Sequence, residues 1–382
     1  MGPPPLPRAA KYQPRQPRRE GFPVAAAAAL LLVLYLLYRL VPSLNYTAPS
    51  RSAERLASFQ LTALDAGLQK CREFYTPVIQ YDFPVPASRH NPRWNPSSGQ
   101  NKTVLLRNAT LFDGTNILAR PVDILFKKGV VISITPTSKA LSGFHDVQVA
   151  DLDGKYVTPG LVDMHSHHMA GSWPAIPATD DVNEMNPATG PLTPMVRVLD
   201  SLRADDQATT IIASGGVTSS LILPGSANIM GGEGVLVKNV LEGGPHGEVV
   251  VEELLLEHGI PETDRRRYMK MACGENPRSI YDHTRMGDTW VLRKQLTRAK
   301  QVQQKQDSWC LSAAAAREGG NAAAIAALVA DGGLPESLEL ESTVLMLRGK
   351  ININVHCYET EDFETMLRVS KEFNFRVQAF RT

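Results

Sequence analysis

Two histidines, His165 and His167, stand two residues apart in the stretch from Pro159 to His168, which reads PGLVDMHSHH. On an extended strand an i, i+2 pair points both imidazoles to the same side. Neutral imidazole is the commonest protein ligand for a catalytic divalent metal, and two on one strand end supply half of a site at little entropic cost. Leu161 and Val162 lead a buried-strand run into Asp163 just ahead of the pair. A His-rich turn without metal is the plainer alternative, but an HxH closing an apolar run after a Pro-Gly turn points to ligation.

A third histidine, His356, closes the alternating run KININVHC at 350–357. Ile351, Ile353 and Val355 take one face of that run, and Asn352, Asn354 and His356 take the other. A divalent metal held by such histidines lowers the pKa of bound water towards 7 and polarises a carbonyl oxygen, which suits hydrolysis of an amide, ester or cyclic imide. Glu275, in MACGENP, could add a carboxylate ligand or a proton carrier, and it reads equally as a surface or helix-capping carboxylate beside Pro277. His168 adjoins the pair but faces away on an extended strand, so it supports the pair from behind or belongs to a loop.

These side chains need strand ends that converge. Beyond the HxH, strand and helix patterns alternate. A β-branched run from Thr209 to Leu223 is broken by Gly215 and Gly216, a helix is expected over 248–258, and a short strand over 268–273. Helices follow around 290–304, 322–330 and 336–348, then the 350–357 strand, a helix over 362–373 and a strand from Arg376 to Phe380. In a parallel α/β barrel the aliphatic face of 350–357 would meet the helices and its polar face the interior, with His356 at the C-terminal end where such barrels carry their sites. An edge strand with a solvated polar face is the alternative. Ahead of the HxH, TVLLRNATLFDG, VDILFKKGVVISITP and VQVADLDGKYVTPG read as short strands with turns at Asp113-Gly114, Lys128-Gly129 and Asp153-Gly154, a small sheet or half-sandwich.

The N-terminal part reads differently. Arg8, Lys11, Arg15, Arg18 and Arg19 crowd a Pro-rich head against Glu20 alone, and an apolar run from Phe22 to Val41 follows, AAAAALLLVLYLL at its centre. About 20 apolar residues can cross a bilayer, and Arg39 can snorkel to the far interface. No small-x-small cleavage site follows Tyr38, so an uncleaved anchor is expected, with a cytosolic N-terminus and the bulk of the chain lumenal or extracellular: a single-pass type II membrane protein of the secretory pathway. Three sequons lie past the span, at Asn45, Asn101 and Asn108, as candidate glycosylation sites. Leu56, Phe59, Ala63, Leu64, Leu68 and Cys71 recur every three or four positions after Ser52 as N-cap, which predicts an amphipathic stem helix over 52–72; a Pro, Ser and Asn-rich linker follows to Gln100. The four cysteines, Cys71, Cys273, Cys310 and Cys357, fit no zinc-ribbon spacing, and an oxidising lumen permits a disulfide without requiring one. The formal net charge of +1 over 382 residues gives no footprint for nucleic acid.

The expected organisation is a basic head (1–21), a transmembrane anchor (22–41), a stem helix and linker (42–101), a β-sandwich part (102–158) and an incomplete barrel (159–382). From 102 onwards the chain resembles the amidohydrolase superfamily, close to fungal amidohydrolase-family proteins related to imidazolonepropionase-like and carbohydrate esterase family 9 members. The carrying residues are VADLDGKYVTPGLVDMHSHH, GGVTSSLILPGSANIMGGEG, MACGENP and GKININVHCYE. The resemblance implies a distorted TIM barrel with a small β-sandwich and one or two metal ions, often zinc. It implies metal ligands at His165, His167 and His356, and Glu275 in place of a carboxylated lysine. Its substrate would be a small molecule. The family's next strand histidine and late-strand general-base aspartate have no counterpart before Thr382, and fewer residues follow Pro159 than the about 250 of a complete barrel. A partial, C-terminally truncated barrel of five or six strands is therefore expected. Two other readings stand beside it: a non-catalytic truncated membrane glycoprotein, and a type II glycosyltransferase using Asp151 and Asp153 as a DxD, against which Asp153-Gly154 reads as a turn. GGEG at 231–234 lacks a following Gly-Lys-Ser/Thr and reads as an ordinary or substrate-side loop.

Overall fold

The computed structural model describes residues 51–77, 102–137, 146–239 and 251–381, with isolated positions at 29, 31–33, 35, 36 and 91. The chain divides into two compact units, Met1–Thr62 and Ala63–Thr382. Most of the expected anchor at 22–41, the sequons at Asn45 and Asn101, and most of the linker lie outside the described residues. Among the described residues no helix is long and apolar enough to cross a membrane. In the first unit Leu31, Leu32, Val33, Tyr35 and Leu36 are helical and exposed.

Helix α1 (Arg51–Tyr75) is the stem, with Ser52 inside its first turn rather than capping it. Its periodic residues divide: Leu56 and Phe59 are exposed, whereas Leu64 and Cys71 are buried, together with Gly67 between them.

A small sheet comes next, from β1 (Thr103–Leu111), β2 (Val122–Lys127), β3 (Val130–Pro136), β4 (Val147–Asp151) and β5 (Tyr156–Val157). The order is β3-β2-β1-β4, with β5 also pairing β1. Both residues of the β2–β3 turn, Lys128 and Gly129, have positive φ (54° and 69°), the left-handed geometry that matches the twist of a tight hairpin. Ala109, Leu111, Val122 and Ile124 bury one face.

The second sheet runs in chain order: β6 (Leu161–Ser166), β7 (Val217–Ile222), β8 (Met230–Lys238), β9 (Arg267–Ala272), β10 (Ile351–His356) and β11 (Val377–Arg381). It is mixed rather than all parallel. β6 pairs parallel with β7, and β9, β10 and β11 are mutually parallel, but β8 runs antiparallel to both its neighbours. GGEG therefore lies within a strand, not a loop: Glu233 is buried and bonds Arg267, so the glycines sit where flanking backbone comes close, and a Cβ on Gly234 would lie 2.5 Å from the Ile222 carbonyl oxygen. Leu161, Val162 and Met164 are also exposed, against the expected buried run, and among the described residues β6 pairs only with β7.

Helices α2 (Ala208–Ser214), α3 (Glu275–Tyr281), α4 (Arg285–Glu318), α5 (Ala322–Ala330), α6 (Glu341–Leu347) and α7 (Thr360–Phe373) lie between these strands along the chain. The β-branched start of the 209–223 run is helical, not extended, and its strand begins only after Gly216 (φ 88°); tertiary context overrides the weak strand preference of Thr-Thr-Ile-Ile. The helix expected over 248–258 shrinks to one turn, Val251–Leu254, among described residues. Helix α4 runs well past Gln304, because Trp309, Cys310, Ala313 and Ala316 continue a buried stripe through the polar stretch that follows it. The main core lies where Met269, Met271, Ile351, Ile353 and Val355 meet Leu292, Leu296, Met346, Met366 and Val369 of α4, α6 and α7. Each such side chain contributes about 1.5–3 kcal/mol on full burial. With the aliphatic face of β10 committed to the helices, Asn354 and His356 are left on the opposite face.

Candidate functional site

His165 and His167 lie at the end of β6, Lys270 in β9 and His356 at the end of β10. In a flat sheet β6 and β9, three strands apart, would stand about 14 Å from one another. Instead the Lys270 amine is 3.0 Å from His165 Nε2, so the sheet curls and its inner face converges. The His165 and His167 rings are 5.1 Å apart between centroids and edge to face, and His165 and His356 are 6.2 Å apart.

Each ring is oriented by what it touches. Asp163 Oδ1 accepts the His165 backbone N–H at 2.9 Å and shapes the strand end. His167 Nδ1 is 2.8 Å from the Leu223 carbonyl oxygen, which can only accept, so Nδ1 carries the proton and Nε2 keeps its lone pair. His356 Nε2 meets the Asn276 amide at 3.2 Å, and its ring stands edge to face on Tyr358 at 4.4 Å. Its Nδ1 is buried without a hydrogen-bond partner. His168 faces away from the cluster and is buried: Ser166 Oγ lies 2.7 Å from its Nδ1 and Asn239 Oδ1 3.2 Å from its Nε2. The Asn239 amide nitrogen also donates to the Val217 carbonyl and Ser220, so His168 ties the end of β6 to β7 and to the residue after β8.

Burial controls the protonation of this cluster. It pushes His165 down to about 3, with the Lys270 charge acting in the same direction. Burial likewise lowers His167, opposed by the Leu223 carbonyl, and lowers His356, assisted by Lys270. The Lys270 amine, 1 % exposed, is itself pushed down to about 7 by burial and by the charge of Arg381. All three rings are thus neutral near pH 7, the form that ligates a metal, and Lys270 is poised between amine and ammonium.

Glu275 is not brought to the cluster. It is exposed in the first turn of α3, while its neighbour Asn276 reaches His356. Asp151 Oδ1 accepts the Asp153 backbone N–H at 2.9 Å and Asp153 takes φ 50°, so the DxD builds the β4–β5 turn. At the Asn108 sequon, the backbone N–H donates to Asp123 and the Thr110 hydroxyl donates to the Gly154 carbonyl. Lys270 and Asn276 escaped the sequence reading; a lone lysine between Met269 and Met271 in a buried β run was the available signal.

The residues present fit a divalent ion in donor chemistry: three neutral imidazoles, one with a buried and unpartnered Nδ1. Among the described residues no group of three or more His, Cys, Asp and Glu side chains is spaced to hold an ion by itself. The non-carboxylate Lys270 sits inside the cluster, in contact with His165.

No family model matches the chain. Amidohydrolase tasK of Hapsidospora irregularis is 34% identical over 341 residues, which cover 83% of this chain and 32% of that protein. A dihydroorotase of Carboxydothermus hydrogenoformans is 34% identical over 64 residues, 17% of this chain and 14% of the enzyme. The crystal structure of an amidohydrolase from Thermotoga maritima superposes with a TM-score of 0.56 at 30% identity, covering 72% of this chain and 63% of that one. The Thermotoga maritima amidohydrolase shares this mixed α/β fold. The chain belongs to the amidohydrolase superfamily. It spans about a third of the length of the tasK amidohydrolase.

Proposed function

We propose that the chain carries the site of a metal-dependent hydrolase acting on a carbon–nitrogen bond, in a non-peptide amide or cyclic imide, or on an ester, of a small molecule. The observation that carries this reading is the meeting of His165, His167, His356 and Lys270 on the inner face of one curled sheet. His165, His167 and His356 would hold the ion, for which zinc is the first candidate. When bound, such an ion supplies a water activated near pH 7 and a polarised carbonyl. The chain's own groups do the rest. The Leu223 carbonyl fixes the His167 tautomer. Asn276 orients His356, its amide nitrogen lying 3.2 Å from the ring Nε2. Lys270, held near neutrality by burial, is able to take up or release a proton beside His165.

The expected result is that purified protein binds a divalent metal and that His165→Ala with His167→Ala abolishes binding, read by elemental analysis after dialysis. Stoichiometric metal retained by the double variant would sink the reading. The reading extends to a single-pass type II anchor with the folded body on the lumenal or extracellular side. All four cysteines are disulfide-bonded, which supports maturation in an oxidising compartment.

A further inference from the structure

The bond between Cys273 and Cys357 occupies a different position from an ordinary surface staple. Cys273 follows the end of β9 and Cys357 follows the end of β10, so the bond joins the two strands where their inner-face side chains meet. Its neighbours are the cluster itself: Lys270 lies three residues before Cys273, Asn276 three residues after it, and His356 directly before Cys357. The Cys273 backbone N–H donates to the His356 carbonyl at 2.9 Å, and the Cys357 N–H donates to the Arg381 carbonyl at 3.2 Å. Cys357 is wholly buried. The Asn276 amide that contacts His356 rides on α3, which starts two residues beyond Cys273. The covalent link therefore fixes the distance between the strand bearing His356 and the turn bearing the group that orients it.

We propose that the Cys273–Cys357 disulfide is a positioning device for His356, so that the cluster is set in its working geometry only in the oxidised chain. The consequence for metal rests on the metal-dependent reading above, whereas the positioning of the ring does not. Reduction by a dithiol proceeds by two thiolate exchanges: the S–S bond breaks, two electrons and two protons pass to Cys273 and Cys357, and the dithiol closes to its own disulfide. The freed strand end then exchanges its fixed turn for alternatives in which Asn276 leaves His356.

The test uses the full chain in three forms: oxidised; treated with dithiothreitol and alkylated, with the sites mapped by mass spectrometry; and Cys273→Ser with Cys357→Ser. Two readouts are taken well below the melting temperature. The first is metal-independent: the rate at which diethyl pyrocarbonate modifies His356, with His258 as an internal reference. The second is zinc affinity by competition with a chromophoric chelator. Cys71→Ser with Cys310→Ser serves as the control for loss of stability alone. The expected result is faster labelling of His356 in the reduced and the Cys273/Cys357 forms, unchanged His258, and zinc affinity lower on the order of tenfold to a hundredfold, the usual cost of losing a group that orients a ligand. The control variant should melt earlier without either change. Equal His356 labelling in all forms overturns the proposal. Redox-dependent labelling in a chain that binds no zinc in any form upholds the positioning and refutes the metal reading.

Discussion

A lysine in a buried strand is a cost unless its charge is used or relinquished. Lys270 is 1 % exposed, and its amine is held at about 7 against an ordinary 10.5. Between those two values the unfolded chain carries a proton on this residue that the folded chain does not. Stability contributed through Lys270 therefore rises with pH across that window and falls as pH drops towards 7. Lys270→Met removes the titrating group, and denaturant titrations of metal-free protein should show a flatter dependence of stability on pH from about 7 to 10.5 than the parent chain shows. An unchanged slope would place the lysine outside its buried setting. His165 and His167 were legible from spacing alone, because a two-residue period on a strand dictates a shared side. Lys270 and Asn276 were not, since what makes them part of the cluster is the curl that folds β9 towards β6, a property of the whole sheet with no local signature.

Among the elements, α1 meets α4 at Gly67 and Trp309, beside the Cys71–Cys310 bond. A Cβ at Gly67 would stand 2.4 Å from the Trp309 ring, so only glycine admits the indole at this crossing. Leu64, Cys71, Trp309, Ala313 and Ile325 form the cluster around it. Gly67→Ala should lower stability by about 1–3 kcal/mol through overpacking, despite the better helix propensity of alanine, and appear as a lower Tm in calorimetry. A gain in Tm would mean that the indole moves aside freely. Patterns with a clear period were the readable ones. The alternation of 350–357 separated the core face from the polar face of β10, and the Lys128-Gly129 turn announced the β2–β3 hairpin. The failures share a cause. β8 is hidden in the sequence because its glycines resemble a loop, whereas in the fold backbone of β7 and of Val196 comes close to them. The start of 209–223 favours a strand locally through its Thr and Ile, but in the fold it is helical.

At the scale of the molecule, the six-stranded sheet has two outer strands, β6 and β11, and β6 exposes Leu161, Val162 and Met164. The expectation of a barrel-like sheet of five or six strands matches this sheet in strand number, while the reversal at β8 departs from a purely parallel barrel. The Cys71–Cys310 bond is a long-range covalent link, joining residues at a sequence separation of 239. It joins the stem helix to α4, and the stretch leading from α1 to β1 falls inside the loop so closed. A protease that cuts between residues 78 and 101 would therefore divide the backbone without separating the pieces. On a non-reducing gel the nicked chain should migrate as one species, and a thiol should resolve it into a short N-terminal fragment and the folded body; two fragments without reductant would contradict the pairing. For a chain tethered through its N-terminus, shedding then becomes a two-key event: cleavage of the linker does not release the body until a disulfide exchange has also taken place.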